Sequence, residues 1–123
     1  MNIKRLVSAL LGIMMLSSCG SGSLAVRADG PDRVEVILNS EEFPQHMTIL
    51  REKSADEYDT YYRGDLSERF PRNGRLTLPR DFALFERAET DRSFDPSCFP
   101  KGKYLLQFYL NAEHGYSRSF EIK

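Results

Sequence analysis

From Lys103 to the end the chain alternates. Tyr104, Leu106, Phe108 and Leu110 fall on one side of an extended backbone, and Lys103, Leu105, Gln107 and Tyr109 on the other. After the polar stretch Asn111–Gly115 a second alternation sets Tyr116, Arg118, Phe120 and Ile122 against Ser117, Ser119, Glu121 and Lys123. A repeat of two is the signature of a pleated strand, because successive side chains leave opposite faces of the backbone, whereas a helix would spread them around its axis. Two such runs joined by a short polar loop predict an antiparallel hairpin. The first run is apolar on both faces and belongs inside a sheet. The second is half polar and turns one face to water.

The rest of the chain reads as shorter strands separated by turn residues. Val34, Ile37 and Leu38 lie in a β-branched run over 33–38, Asn39-Ser40-Glu41-Glu42 is a turn, and Met47, Ile49 and Leu50 mark a second strand over 45–51. A third covers 58–63, with Tyr61 and Tyr62, and a fourth carries Leu76 and Leu78 up to Pro79. Residues 81–88 are expected to form a short helix, with Asp81 as cap and Phe82 and Phe85 on its apolar face; Phe82 and Leu84 also alternate as in a strand. The segment between Arg63 and Phe99 otherwise reads as irregular loop. The expected fold is mainly β, a small antiparallel sandwich of six or seven strands. The turn Pro100-Lys101-Gly102 before Tyr104 and the final hairpin resemble the ending of immunoglobulin-like and transthyretin-like sandwiches, over about the last 24 residues.

The amino-terminal end has a different character. Lys4 and Arg5 precede an uncharged, mostly apolar run, Leu6 to Leu16, then Leu16-Ser17-Ser18-Cys19. Early positive charge followed by a short apolar run is the pattern of a secretory signal. The run is well short of the ~20 apolar residues a helix needs to cross a bilayer. An aliphatic residue, two small residues and a cysteine at this place resemble the lipobox of bacterial lipoproteins. The resemblance implies removal of residues 1–18, a thioether to diacylglycerol on Cys19, and acylation of the new amino terminus. Each buried methylene contributes ~0.8 kcal/mol, so the two or three chains of such an anchor hold firmly where one would not. In enterobacterial lipoproteins an aspartate after the cysteine implies retention in the inner membrane. Here that residue is Gly20, which implies the outer membrane with the domain in the periplasm, or the cell membrane where there is no outer one. The run Gly20-Ser21-Gly22-Ser23 opens what reads as a flexible tether over 19–32. A dozen flexible residues have a mean reach of roughly 20 Å. The domain is then expected over 33–123.

Cleavage leaves 105 of the 123 residues, enough for one small domain. It removes two of the 17 basic residues, leaving 15 against 18 acidic, a balance of about −3. That is neither a nucleic-acid footprint nor a polybasic membrane patch. Cys98 has no second cysteine to pair with beside Cys19, so no intrachain disulfide is expected; Phe94, Pro96, Phe99 and Pro100 around it suggest a buried thiol, with an intermolecular bond as the alternative.

Nothing in the spacing points to catalysis. There is no His-x-x-x-His, no cysteine pair and no Gly-x-Ser-x-Gly. Asp56, Glu57 and Asp59 lack the further oxygen ligands and placed glycine of a calcium loop and read as a solvated turn. A thiol enzyme would require Cys98 to meet His46 or His114, and the sequence does not place either beside it. No catalytic residue, metal or cofactor is therefore expected. The stretch 63–92 mixes seven arginines with six acids and several aromatics, the composition of protein interfaces. Tyr61, Tyr62, Arg63, Arg69 and Arg72 are the candidate partner-binding residues, with Phe70, Phe82 and Phe85 as further aromatic anchors; the alternative for each aromatic is a place in the core. The expectation is a non-enzymatic envelope lipoprotein that is held to the membrane by lipid and binds another envelope protein. Binding of peptidoglycan or another glycan is the alternative.

Overall fold

The computed structural model describes residues 22–112 and 114–123. The expected signal peptide, its expected cleavage site and Cys19 lie outside the described residues. Within them are eight strands: β1 (Ser23–Gly30), β2 (Arg33–Asn39), β3 (His46–Ser54), β4 (Glu57–Leu66), β5 (Arg75–Leu78), β6 (Phe85–Thr90), β7 (Gly102–Asn111) and β8 (His114–Ile122). They make two antiparallel sheets, one in the order β1-β2-β5 and one in the order β6-β4-β3-β7-β8. The expected small β-sandwich is thus the fold, with eight strands in place of six or seven.

Each sheet turns one apolar face inward. Val34, Val36 and Leu38 of β2 meet Met47 and Ile49 of β3 and Tyr104, Leu106 and Phe108 of β7, all at most 5% exposed. The inward alternation of β7 is the one read from sequence, and β7 lies inside its sheet between β3 and β8. Half-polar β8 is an edge strand, with only Phe120 and Ile122 buried. Burying a side chain of this size stabilises the fold by roughly 1.5–3 kcal/mol, so the inward rows account for most of the cohesion.

Most of the segment expected as a flexible tether, 19–32, is a strand. Residues 23–30 form β1, paired residue for residue with β2 from Ser23↔Asn39 to Ala28↔Val34. Leu24 is 2% exposed, and Val26 and Ala28 pack against the core behind it. Arg27 lies opposite Glu35 and binds its carboxylate at 2.9 Å. The alternation Leu24-Val26-Ala28 is present in the sequence, but small residues and the preceding Gly/Ser run mask it.

The expected helix over 81–88 is also replaced. Arg80–Leu84 is a single 3-10 turn, and Phe85 then enters β6 with extended dihedrals, φ −101° and ψ 157°. Asp81 caps no helix. Its Oδ2 accepts the Thr77 N–H at 2.7 Å and fastens the end of β5 to the turn. Phe82 from the turn and Phe85 from the strand both reach the core, which reproduces the i, i+3 spacing of an apolar helix face without a helix. Between Arg63 and Phe99 the strand expected up to Pro79 is β5, while β6 lies where the chain reads as helix and irregular loop.

A β-bulge settles the two tyrosines. Ile49 pairs with Tyr62 and Leu50 with Thr60, leaving Tyr61 as an extra residue in β4. The extra residue breaks the alternation locally and turns both neighbours the same way. Tyr61 and Tyr62 are accordingly 0% and 1% exposed.

Candidate functional site

Several connections meet at one end of the sandwich. β3 begins there, β4 ends there, and His46 of β3 is in register with Asp65 of β4 and Tyr109 of β7. The 40–45 segment therefore crosses from the three-stranded to the five-stranded sheet beside the 67–74 segment, which crosses back. Between them opens a cleft of about 1190 Å³, walled by Phe43, Phe70, Leu38 and Leu66 and rimmed by charged side chains.

Local hydrogen bonds hold both segments in shape. Ser40 Oγ donates to the Glu42 carbonyl at 2.9 Å and accepts the Glu42 N–H at 3.2 Å. Ser67 Oγ donates to the Leu84 carbonyl at 2.7 Å and accepts the Arg69 N–H at 3.1 Å. Gly74 closes the second segment with φ +71°, a left-handed conformation that favours glycine. Phe43 is 61% exposed, the most exposed of the large apolar side chains among the described residues, with its ring edge-on to Phe70 at 5.8 Å. Glu41, Glu42, Glu68, Glu86, Arg69 and Arg72 line the cleft, and none of the six forms an ion pair among the described residues. Two of the five candidate partner-binding residues, Arg69 and Arg72, thus stand at this cleft.

The other three do not. Tyr61 and Tyr62 are core residues, a correction to their reading as surface anchors, and Phe70, Phe82 and Phe85 are likewise buried. Arg63 points to the outer face of the five-stranded sheet, where its Nη2 lies 3.4 Å from His46 Nδ1. On that face His46 stacks on Tyr109, with ring centroids 4.7 Å apart and planes 10° from parallel, beside a smaller depression of about 370 Å³. Burial, and next the neighbouring Arg63 charge, hold the His46 imidazole below its ordinary 6.5, while Asp65 opposes them. A histidine that resists protonation in the folded state stabilises the fold in its neutral form. Stability should therefore fall as pH drops below 6.5 toward the lowered folded value. Urea midpoints measured between about pH 7 and pH 5 should show this fall, and His46→Gln should remove part of it.

Cys98 is half-buried, with Sγ 3.6 Å from Asp95 Oδ2. It sits at the opposite end of the sandwich from the two histidines, next to Phe99, whose N–H is bonded to Pro31 of the β1–β2 turn. About seven residues of β7 separate that end from the Tyr109 row beside His46, roughly 23 Å at strand spacing. The fold does not bring the thiol and the imidazoles together. Among the described residues no group of His, Cys, Asp and Glu side chains is placed to hold a metal ion. Asp56, Glu57 and Asp59 lie at or beside the β3–β4 turn and are exposed.

Sequence reasoning missed Glu41, Glu42 and Phe43. A phenylalanine set between glutamates and a proline was the available signal, but a turn shows nothing of which other loop it will face. No protein-family model matches the chain, and neither the curated proteins nor the solved structures contain a significant match.

Proposed function

We propose that the chain is a lipoprotein of the cell envelope, held in the outer membrane by lipid on Cys19, and that its β-domain is a non-enzymatic module that binds a segment of another envelope protein in the cleft. The supporting observation is Phe43, 61% exposed on a wall of the cleft. An apolar ring left in water beside unpaired charges is the composition of an interaction hot spot, where an aromatic anchor fills a partner's pocket and the charges around it set register. The lipid part of the reading rests on the charge, the apolar run and the Leu16-Ser17-Ser18-Cys19 motif.

A photo-reactive phenylalanine analogue at position 43 tests the binding part in intact cells. The expected result is one discrete crosslinked species that weakens when Glu42→Lys is added, with no species from the same analogue at Ala55. Crosslinks of equal yield from both positions would count against the cleft. Retention of the purified domain on isolated cell wall, unaffected by Phe43→Ala, would instead favour glycan binding. Mass spectrometry of the amino-terminal peptide tests the anchor: diacylglycerol on Cys19 is expected, and an unmodified thiol there would refute it.

A further inference from the structure

We infer that the lipid tether turns the cleft onto the membrane, so that its partner is a basic stretch lying at the bilayer surface next to a membrane span of another protein. The inference rests on the lipoprotein reading and adds the direction the domain faces. β1 begins at Ser23, in register with Asn39, and Ser40 already lines the cleft. Gly22 is seated against the same end: a Cβ there would fall 1.9 Å from Tyr116 Oη and 2.6 Å from the Asn39 carbonyl oxygen. Only Gly20 and Ser21 separate Cys19 from this seated residue. Three extended steps span about 11 Å at most. The β3–β4 turn lies at the far end of a nine-residue strand, about 30 Å further on. A tether that short brings the cleft end to the headgroups and keeps the far end away.

Charge then separates the two occupants available at a membrane surface. The cleft carries four carboxylates and two guanidinium groups, an excess of two negative charges. An anionic phospholipid surface is repelled by that balance and a lysine- or arginine-bearing segment is attracted. Anchoring both proteins in one bilayer raises their effective concentration, so a modest interface suffices.

The test uses the full lipidated chain in phosphatidylethanolamine/phosphatidylglycerol vesicles, in a Cys98→Ser background, with an environment-sensitive fluorophore on Asn73→Cys at the cleft end or on Ala55→Cys at the far end. A headgroup-attached nitroxide should quench the Asn73→Cys label several-fold more than the Ala55→Cys label. A Gly/Ser insert of about a dozen residues after Gly20, which adds a mean reach of roughly 20 Å, should erase that difference. Equal quenching in the uninserted chain, or stronger quenching at the far end, overturns the orientation. Absence of lipid by mass spectrometry overturns the lipoprotein reading itself and the inference with it, so the two failures are distinct. For the partner, a lysine-flanked single-span model peptide in the vesicles should shift the emission of the Asn73→Cys label, and a glutamate-flanked one should not. The shift should vanish in Glu41→Lys/Glu42→Lys. No shift with lysine flanks, or a shift as large in peptide-free vesicles, overturns the basic segment as occupant, the latter in favour of lipid.

Discussion

Tyr62→Ala should destabilise the domain by about 3–5 kcal/mol, the range for truncating a buried aromatic, and leave much of it unfolded at physiological temperature. Tyr62 is 1% exposed, and its ring centroid lies 4.1 Å from Phe82, 5.6 Å from Phe94 and 6.2 Å from Phe85. These rings arrive from the 3-10 turn, from β6 and from the connection before β7, so one truncation loosens three segments at once. The hydroxyl donates to the Phe82 carbonyl at 3.3 Å, and burial pushes its pKa up to about 12. Tyr62→Phe should therefore cost only about 1 kcal/mol, the net worth of one hydrogen bond. A buried phenol resists ionisation, so the folded state holds its proton longer than the unfolded chain does. Stability should fall as pH rises from the unfolded value of 10.0 through the folded value of about 12, and Tyr62→Phe should lessen that fall. Arg72→Ala, at the exposed cleft rim, should change stability by less than about 0.5 kcal/mol. Urea denaturation of these variants separates core from contact surface among residues that the sequence placed together.

Gly74→Ala should cost about 2–4 kcal/mol and alter the cleft as well. With φ at +71° a Cβ is disfavoured before any neighbour is considered. The added carbon would also fall 1.8 Å from the Leu38 carbonyl oxygen, a contact with backbone that no side-chain rotation relieves. Leu38 N–H is bonded to the Gly74 carbonyl at 2.9 Å, extending the β2–β5 pairing past Ile37↔Arg75. Relief requires the two strands to part at that place, and both Leu38 and Gly74 line the cleft. The substitution should thus lower the urea midpoint and weaken crosslinking from position 43 together. Unchanged stability would show that this connection is free to move.

What the chain displays locally could be read directly. The alternation over 103–110 reports that β7 is buried on one face and half-buried on the other, because a pleat imposes it on any residue that must face a core. The lipobox-like motif at Leu16-Ser17-Ser18-Cys19 is equally local. Other features were hidden because their cause is not local. β1 depends on pairing with β2 and on Leu24 finding the core across the turn, and a Gly/Ser run with small residues shows neither. Tyr61 and Tyr62 look like one inward and one outward residue until a bulge, set by how β3 and β4 pair, turns both inward. Phe82 and Phe85 imitate a helix because two elements happen to deliver them at helical spacing.

The sequence by itself determined the β class, the terminal hairpin, and the charges and glycines available. Each of these follows from side-chain chemistry along a short stretch of backbone. Only the tertiary structure decided that Phe43 and Glu42 face Arg69 and Arg72 across a cleft, and that this cleft opens at the end where Gly22 is seated. Those juxtapositions come from two sheet-to-sheet crossings at one end of the sandwich. Crossing points are fixed by which strands pair, and pairing is settled by burying all the inward rows at once.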